Sequence, residues 1–133
     1  CRFKLNSDAT QCDFLVGLCI TDTDLLGGMT EGVYFRKVDG ATTLNFVLED
    51  GSAETVTAYG TALAADTWYT VEFVYEGGSM RWYVNGERQT NPVLTNLPDD
   101  AADFLTPSIH FLTGEANANV CEIDWIRAIQ IQA

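Results

Sequence analysis

Apolar and polar side chains alternate with a period of two along most of this chain, and glycine-containing turns interrupt the alternation at short intervals. No window carries a convincing stripe of 3.6-residue period longer than two turns. This pattern predicts an all-β fold, an antiparallel two-sheet β-sandwich of the jelly-roll type. The predicted strands are residues 2–5, 13–21, 33–37, 43–49, 54–58, 68–75, 80–84, 108–112 and 120–131.

Four dipeptides that tolerate positive φ mark the tight turns between these strands: Asp39-Gly40, Asp50-Gly51, Gly77-Gly78 and Asn85-Gly86. Around Gly77-Gly78 the alternation predicts a buried face and an outer face. The buried face contains Tyr69, Val71, Phe73, Tyr75, Met80, Trp82 and Val84, and the outer face contains Thr70, Glu72, Arg81 and Tyr83. On the outer face we expect Glu72 and Arg81 to pair diagonally.

Two long loops interrupt the strands, TDTDLLGGMTEG at 21–32 and NPVLTNLPDDAADFLTP at 91–107. The second contains three prolines and one predicted helical turn at 99–103. Long loops on a rigid sandwich are where binding sites usually lie. Because composition nowhere shifts, we expect one domain over 1–133, and because the sequence begins at Cys1 we expect a short N-terminal part to be missing from it.

Composition and charge narrow the possible functions. The chain has 133 residues, and a hydrophobic fraction of 47% with 20% charged residues is ordinary for one globular domain. Nineteen acidic and seven basic side chains give a net charge of −12, which disfavours nucleic acid and anionic membrane surfaces as partners. No apolar run is long enough for a membrane span, and no signal-peptide pattern is present.

The four cysteines are too few for a disulfide scaffold and lack the spacing of metal ligands. They are Cys1, Cys12, Cys19 and Cys121, and they allow three pairings if all of them are bridged. On one strand Cys12 and Cys19 point to opposite faces, so they are not expected to bridge each other. Free and mostly buried thiols are the first interpretation, and a bridge between Cys19 and Cys121 is the alternative.

The hairpin WYTVEFVYEGGSMRWYVNGE resembles that of concanavalin A-like and laminin G-like sandwiches, and GVYFRKVDGATTLNFVLEDGS is similar to their central hairpins. The resemblance extends from about Phe14 onward and implies the concanavalin A-like jelly roll. It implies little about function, because this superfamily includes lectins, glycan hydrolases, adhesion modules and viral structural proteins.

Two further segments look like parts of bacteriophage virion proteins of this fold. They are GVYFRKVDGATTLNFV and TNLPDDAADFLTPSIHFLTGEANANVCEIDWIRAIQ. This resemblance implies a non-enzymatic capsid decoration protein, made in the bacterial host cytoplasm and located on the virion surface. Its implied partners are the phage coat protein and copies of itself, and no cofactor is implied. The negative charge would keep decorated particles apart.

The segment EIDWIR is a candidate active site, because Glu122 and Asp124 lie on one face of a predicted strand and glycoside hydrolysis uses a pair of carboxyl groups. The endoglucanase pattern needs a further Glu two or three residues after the Asp, where this chain has Ile126 and Arg127. Neither side chain can act as acid and base, so no catalytic residue is predicted. His110, the only histidine, has no identifiable partner.

We interpret EIDWIR instead as part of the strand that closes the sandwich. Its alternation predicts that Trp125 is buried between the sheets while Glu122 and Asp124 face away. The rest of the predicted buried face consists of Cys121, Ile123, Ile129 and Ile131, with Arg127 as an exception.

A lectin-like module is the alternative function. Sugar sites combine an aromatic platform with convergent polar groups. Aromatic and polar residues of this kind are expected on one sheet face. The same residue types equally suit sheet surface that only contacts solvent. These carbohydrate or partner contacts are Tyr34, Arg36, Asn45, Arg81 and Tyr83. Asp22, Asp24 and Glu31 offer oxygen ligands for calcium, but acidic loops are far commoner than calcium sites, so no metal is predicted.

Overall fold

The computed structural model describes residues 1–6, 11–99, 104–114, 116 and 118–130. These residues are all-β, as predicted, and contain no helix that is long and apolar enough to span a bilayer. The helical turn predicted at 99–103 falls, apart from Asp99, outside the described residues. The strands are β1 (Arg2–Leu5), β2 (Cys12–Cys19), β3 (Gly32–Lys37), β4 (Thr43–Asp50), β5 (Ala53–Ala62), β6 (Thr67–Glu76), β7 (Ser79–Val84), β8 (Glu87–Arg88), β9 (Thr106–Thr113) and β10 (Cys121–Trp125).

Every predicted strand overlaps one of these elements, and β8 is the strand that was not predicted, because two residues are too few to show alternation. The strands form two antiparallel sheets of five. Sheet A has the order β10-β1-β6-β7-β8, and sheet B has the order β5-β4-β3-β2-β9. The predicted two-sheet sandwich is therefore confirmed.

Aromatic contacts show how the two sheets are stacked. The rings of Phe3 in β1 and Phe14 in β2 lie 4.4 Å apart, and the rings of Phe46 in β4 and Trp82 in β7 lie 5.3 Å apart. Hence β1 lies over β2 and β7 lies over β4. Given the strand orders, the edge strands β10 and β9 lie on the same side of the sandwich.

The core between the sheets confirms most of the face predicted around Gly77-Gly78. Six of its seven side chains are buried or pack against the core. Tyr75 is the exception at 54% exposure, because it lies at the turn end of β6, beyond the cover of the opposite sheet. The fully enclosed part of the core includes Phe3, Phe14, Val16, Phe35, Leu44, Phe46, Leu48 and Trp82.

The prediction that Trp125 is buried between the sheets was wrong, since its exposure is 39%. The register of β10 against β1 shifts between Arg2 and Phe3, so that Trp125 lies opposite Arg2, whereas Ile123 lies opposite the buried Phe3. In addition, β10 is an edge strand and ends at Trp125, so Ile123 is only partly covered. Ile129 follows the strand and is exposed, and Ile131 lies outside the described residues.

Glu122 and Asp124 do face away from the core, as predicted. Lys4 Nζ lies 2.8 Å from Glu122 Oε1, and Arg2 Nη1 lies 2.6 Å from Asp124 Oδ2, on the outer face of sheet A. These two carboxylates therefore belong to cross-strand ion pairs.

All four cysteines are free, as the first interpretation expected. Cys12 and Cys19 are buried, and burial raises the pKa of Cys19 to about 12 and that of Cys121 to about 11. The alternative Cys19–Cys121 bridge is not formed. Cys19 belongs to an apolar cluster on the outer face of sheet B, while Cys121 packs against the core between the sheets.

Candidate binding cleft on sheet B

The outer face of sheet B is apolar at its centre and is covered by the loop of residues 20–31, here called the covering loop. Leu15, Tyr34 and Val47 point outward from β2, β3 and β4, and Met29 of the covering loop is buried against them. Ile20, Leu25 and Leu26 pack against the same cluster. The long loop predicted to carry a binding site therefore lies across a sheet face, held there by a second apolar cluster.

Two aspartates shape the covering loop through hydrogen bonds to its backbone. Asp22 Oδ1 accepts a bond of 2.7 Å from the Asp24 amide, and Asp24 Oδ1 accepts bonds of 3.3 and 3.2 Å from the amides of Leu26 and Gly27. Within the described parts of the chain, no group of three or more His, Cys, Asp or Glu side chains is placed to hold a metal ion. The calcium alternative thus finds no ligand cluster there.

A cleft of about 400 Å³ opens between the covering loop and strands β2, β3 and β9. We call it the Arg36–His110 cleft. Its polar side chains are Asp13, Asp24, Arg36 and His110, and its apolar wall is formed by Leu26, Val38 and Leu112, with Gly27 completing the lining. Acidic, basic and apolar side chains therefore meet in one concave site.

Arg36 and His110, which both line the cleft, each have one nitrogen that makes no hydrogen bond to the described residues. Arg36 Nε and His110 Nε2 are buried and have no hydrogen-bond partner among the described residues. The other guanidinium nitrogens of Arg36 bind both carboxylate oxygens of Glu54, with an Nη2 to Oε2 distance of 2.7 Å. This pair raises the pKa of Arg36 and lowers that of Glu54, and the charge of Arg36 is compensated within the protein.

A smaller cavity of about 240 Å³ lies on the other side of the covering loop, next to Tyr34, Arg36, Glu49 and Glu54. Glu49 and Glu54 lie directly opposite each other on β4 and β5, and the Tyr34 hydroxyl is 2.7 Å from Glu49 Oε2 and 3.2 Å from Glu54 Oε1. Burial raises the pKa of Glu49, and burial together with Glu49 raises that of the Tyr34 phenol.

This pair of carboxylates was not predicted, although the sequence contains a signal for it. Gly51 and Ser52, both at positive φ, form the two-residue turn between β4 and β5. Counting outward from such a turn places Glu49 opposite Glu54.

Two close carboxyl groups whose pKa values are shifted in opposite directions are a feature of glycosidases. Here, however, the Tyr34 hydroxyl lies between them, Glu49 is 6% exposed, and both oxygens of Glu54 are bound by Arg36. A sugar cannot enter between the two carboxylates without displacing these contacts. The arrangement acts as a structural network beneath the covering loop.

The residues predicted for carbohydrate or partner contact were expected on one sheet face, and this expectation was wrong because they lie on two different sheets. Tyr34, Arg36 and Asn45 lie on sheet B, whereas Arg81 and Tyr83 lie on β7 of sheet A, whose outer face points the opposite way. Alternation assigns a face within one strand, but it does not show which sheet the strand joins.

Of these five residues, Arg36 lines the cleft, whereas Tyr34 is 1% exposed and lines the smaller cavity. Asn45 lies opposite Arg36 on β4. Arg81 binds Glu76, with Nη2 2.6 Å from Oε2, and not Glu72 as expected. Glu72 and Glu76 are both diagonal neighbours of Arg81 across the hairpin. Arg81 pairs with Glu76, the one nearer to the turn.

The fold and the cleft together define a β-sandwich with a loop-covered sheet face. A family model described as the concanavalin A-like lectin/glucanases superfamily matches residues 5–117. The chain belongs to this superfamily, which confirms the resemblance drawn from its hairpins. No curated protein and no solved structure matches the chain.

Proposed function

We propose that this chain is a non-catalytic binding domain and that its Arg36–His110 cleft binds a neutral carbohydrate. The observation that carries this proposal is the lining of the cleft. Carboxylate acceptors from Asp13 and Asp24, the polar side chains of Arg36 and His110, and an apolar wall lie within one concave site. A pyranose presents the same combination of hydroxyl donors, oxygen acceptors and C–H surface.

The charges around the cleft favour an uncharged ligand. Asp13 and Asp24 contribute two carboxylates, while the guanidinium of Arg36 is already compensated by Glu54. The whole chain carries a net charge of −12. An anionic ligand would be repelled both at long range and within the site. A neutral polyol can instead donate hydroxyls to both aspartates.

Binding is tested by titrating neutral oligosaccharides, first selected on a glycan array, into the purified chain by calorimetry. Asp24→Asn should weaken binding by about tenfold or more, because a charged acceptor of sugar hydroxyls is lost. Asp22→Asn is the matched control, since Asp22 lies in the same loop and also caps a backbone amide but does not line the cleft. Equal effects of the two variants, or no array binding above background, would contradict the proposal.

A second pair of variants tests the β9 side of the cleft. His110→Ala should weaken binding, whereas Ser108→Ala on the same strand should not, because Ser108 points to the same face outside the cleft. The non-catalytic part of the proposal is tested by incubating the chain with β-glucans and measuring reducing ends. Release of reducing ends by the wild type that is lost in Glu49→Gln would show that the carboxylate pair is catalytic.

A virion structural role is the second proposal, in which the chain decorates a phage capsid by contact with coat protein and with copies of itself. It is supported by the resemblance of the two segments noted above and by a set of exposed apolar side chains near β9 and β10. The chain should then be recovered in stoichiometric amount with purified particles. Recovery only in the free protein fraction of infected cells would refute this role.

A further inference from the structure

One side of the sandwich carries an unusual amount of exposed apolar surface. Most of the large apolar side chains that are exposed in the described chain lie on β9, on β10 or next to them in sequence: Phe104, Ile109, Val120, Ile123, Trp125, Ile126 and Ile129. Leu112 of β9 is also exposed, but it lines the Arg36–His110 cleft on the outer face of sheet B. Because β10 is stacked over β9, Ile109 and Ile123 both face the space between the sheets at the same open side. Exposed apolar side chains at the open edge of a sandwich are typical of a protein contact.

The backbone at this side also lacks partners. In the described chain β10 is paired only with β1, and β9 only with β2, so each strand presents one edge of unpaired amides and carbonyls. Exposed sheet edges pair readily with another strand, and natural proteins usually protect them with charge, proline or a covering segment. On β10 the charges that could repel a second strand are neutralised by neighbours.

The ion pairs at β10 reduce the local effect of a net charge of −12 on the whole chain. Lys4 Nζ lies 2.8 Å from Glu122 and 3.2 Å from Asp66, and Arg2 is paired with Asp124. Both cations also lie over the Trp68 ring, at 4.6 Å for Arg2 and 5.4 Å for Lys4. The edge is therefore apolar on its inner side, and on its outer side both carboxylates of β10 form ion pairs with cations of β1.

From these observations we infer that the chain associates with a second copy of itself through antiparallel pairing of the two β10 strands. A two-fold axis at Ile123 would place Ile123 against its symmetry mate and Glu122 opposite Asp124 of the second copy. Asp124 keeps its ion pair with Arg2, and Glu122 keeps its ion pair with Lys4, which also contacts Asp66, so neither carboxylate of β10 meets the second copy unpaired. A strongly basic partner would gain no charge complementarity at this edge, whereas a second copy matches it in charge and in apolar character.

The association differs from the glycan-binding proposal in the surface it uses, since the Arg36–His110 cleft lies on the outer face of sheet B. It supplies the self-contact that the virion role requires, but it does not depend on that role. A dimer that binds no glycan and is absent from particles would leave the inference intact. A monomer that binds glycans would overturn the inference alone.

Sedimentation velocity between about 5 and 500 µM tests the inference, since weak edge-paired dimers dissociate within this range. We expect a transition to twice the monomer mass of 14.6 kDa. Ile123→Lys should move the midpoint of this monomer–dimer transition to a protein concentration at least tenfold higher. The matched control is Val74→Lys, because Val74 has a similar exposure, 42% against 37%, but projects from the outer face of sheet A. A monomer throughout, or equal shifts in both variants, would overturn the inference.

Two further measurements keep the test decisive if Ile123→Lys folds poorly. Hydrogen exchange of the wild type should show peptides that contain β10 becoming more protected as concentration rises, while peptides of β5, the far edge of sheet B, do not change. The association should also persist or strengthen as salt rises, because salt screens the repulsion between two negative chains. Unchanged protection of β10, or dissociation at about 0.5 M salt, would refute edge pairing.

Discussion

Replacing Tyr34 with phenylalanine removes one hydroxyl beneath the covering loop and leaves the packing of the ring in place. That hydroxyl donates a hydrogen bond of 2.7 Å to Glu49, a carboxyl group that is 6% exposed and that water reaches poorly. Hydrogen bonds to charged groups contribute about 1.5 to 3 kcal/mol to the stability of the folded state. When the partner of a buried group is removed, the cost of taking that group out of water is no longer offset. We therefore expect Tyr34→Phe to lower the free energy of unfolding by about 2 kcal/mol at neutral pH.

The cost of this substitution should depend on pH. Burial raises the pKa of Glu49 above its ordinary value, so the folded state holds this proton more tightly than the unfolded state does. Its contribution to stability is therefore greatest below the unfolded pKa and is lost as pH rises through the folded pKa. The Tyr34 hydroxyl opposes this loss, because its hydrogen bond lowers the pKa of both Glu49 and Glu54. The destabilisation by Tyr34→Phe should accordingly be smaller near pH 4 than near pH 7.

Urea unfolding monitored by tryptophan fluorescence at several pH values measures this difference. In a Glu49→Gln background the amide oxygen can still accept the bond but does not ionise, so most of the pH dependence of the Tyr34→Phe effect should disappear. Tyr83→Phe on the outer face of sheet A is the matched control and should change stability by less than about 0.5 kcal/mol. A Tyr34→Phe cost below this value at pH 7, or one independent of pH in the wild-type background, would refute the reasoning.

Three other predictions follow from local geometry. Gly17→Ala should destabilise the fold by about 1 to 3 kcal/mol in urea unfolding, because a Cβ at Gly17 would lie 2.5 Å from the Cα of Tyr34, while Gly60→Ala should have little effect since no atom lies within 4 Å of its Cβ. Asn85→Ala should lower the melting temperature through a loss of about 1 kcal/mol, because Asn85 has a φ of 52° and accepts a 2.8 Å bond from the Thr70 amide. Cys19 should resist iodoacetamide at pH 8 in the folded chain and react readily in urea, because burial raises its pKa to about 12; equal rates in both states would contradict its burial.

The sequence was sufficient to predict the strands, the turns and most of the buried face, because these depend on short-range alternation and on residues that tolerate positive φ. It was not sufficient where the position of a residue depends on the pairing of strands that are distant in sequence. Trp125 lost its buried position through a register shift at Arg2, and Tyr83 and Tyr34 were placed on one face although their strands join different sheets. Neither the register shift nor the assignment of a strand to a sheet can be read from the local alternation of apolar and polar residues.

The cleft was predicted in part. The long loop and Arg36, both named as candidates for binding, line the cleft, but Asp24 was considered only as a calcium ligand and His110 only as a possible base. Asp24 of the covering loop and His110 of β9 line the same cleft, and Met29 of this loop is buried in the apolar cluster that contains Tyr34. Contacts between a loop and a distant strand have no sequence periodicity, so this part of the site became visible only in three dimensions.

The covering loop has a consequence for the motions of the protein. Its apolar contacts form a cluster around Tyr34 and Met29 that is separate from the core between the sheets. Opening this cluster would expose the cleft floor while both sheets keep their packing, so the loop has the contacts of a unit that can unfold locally. A ligand bound by Asp24 would suppress that opening. Binding in the cleft would therefore slow the hydrogen exchange of the loop amides.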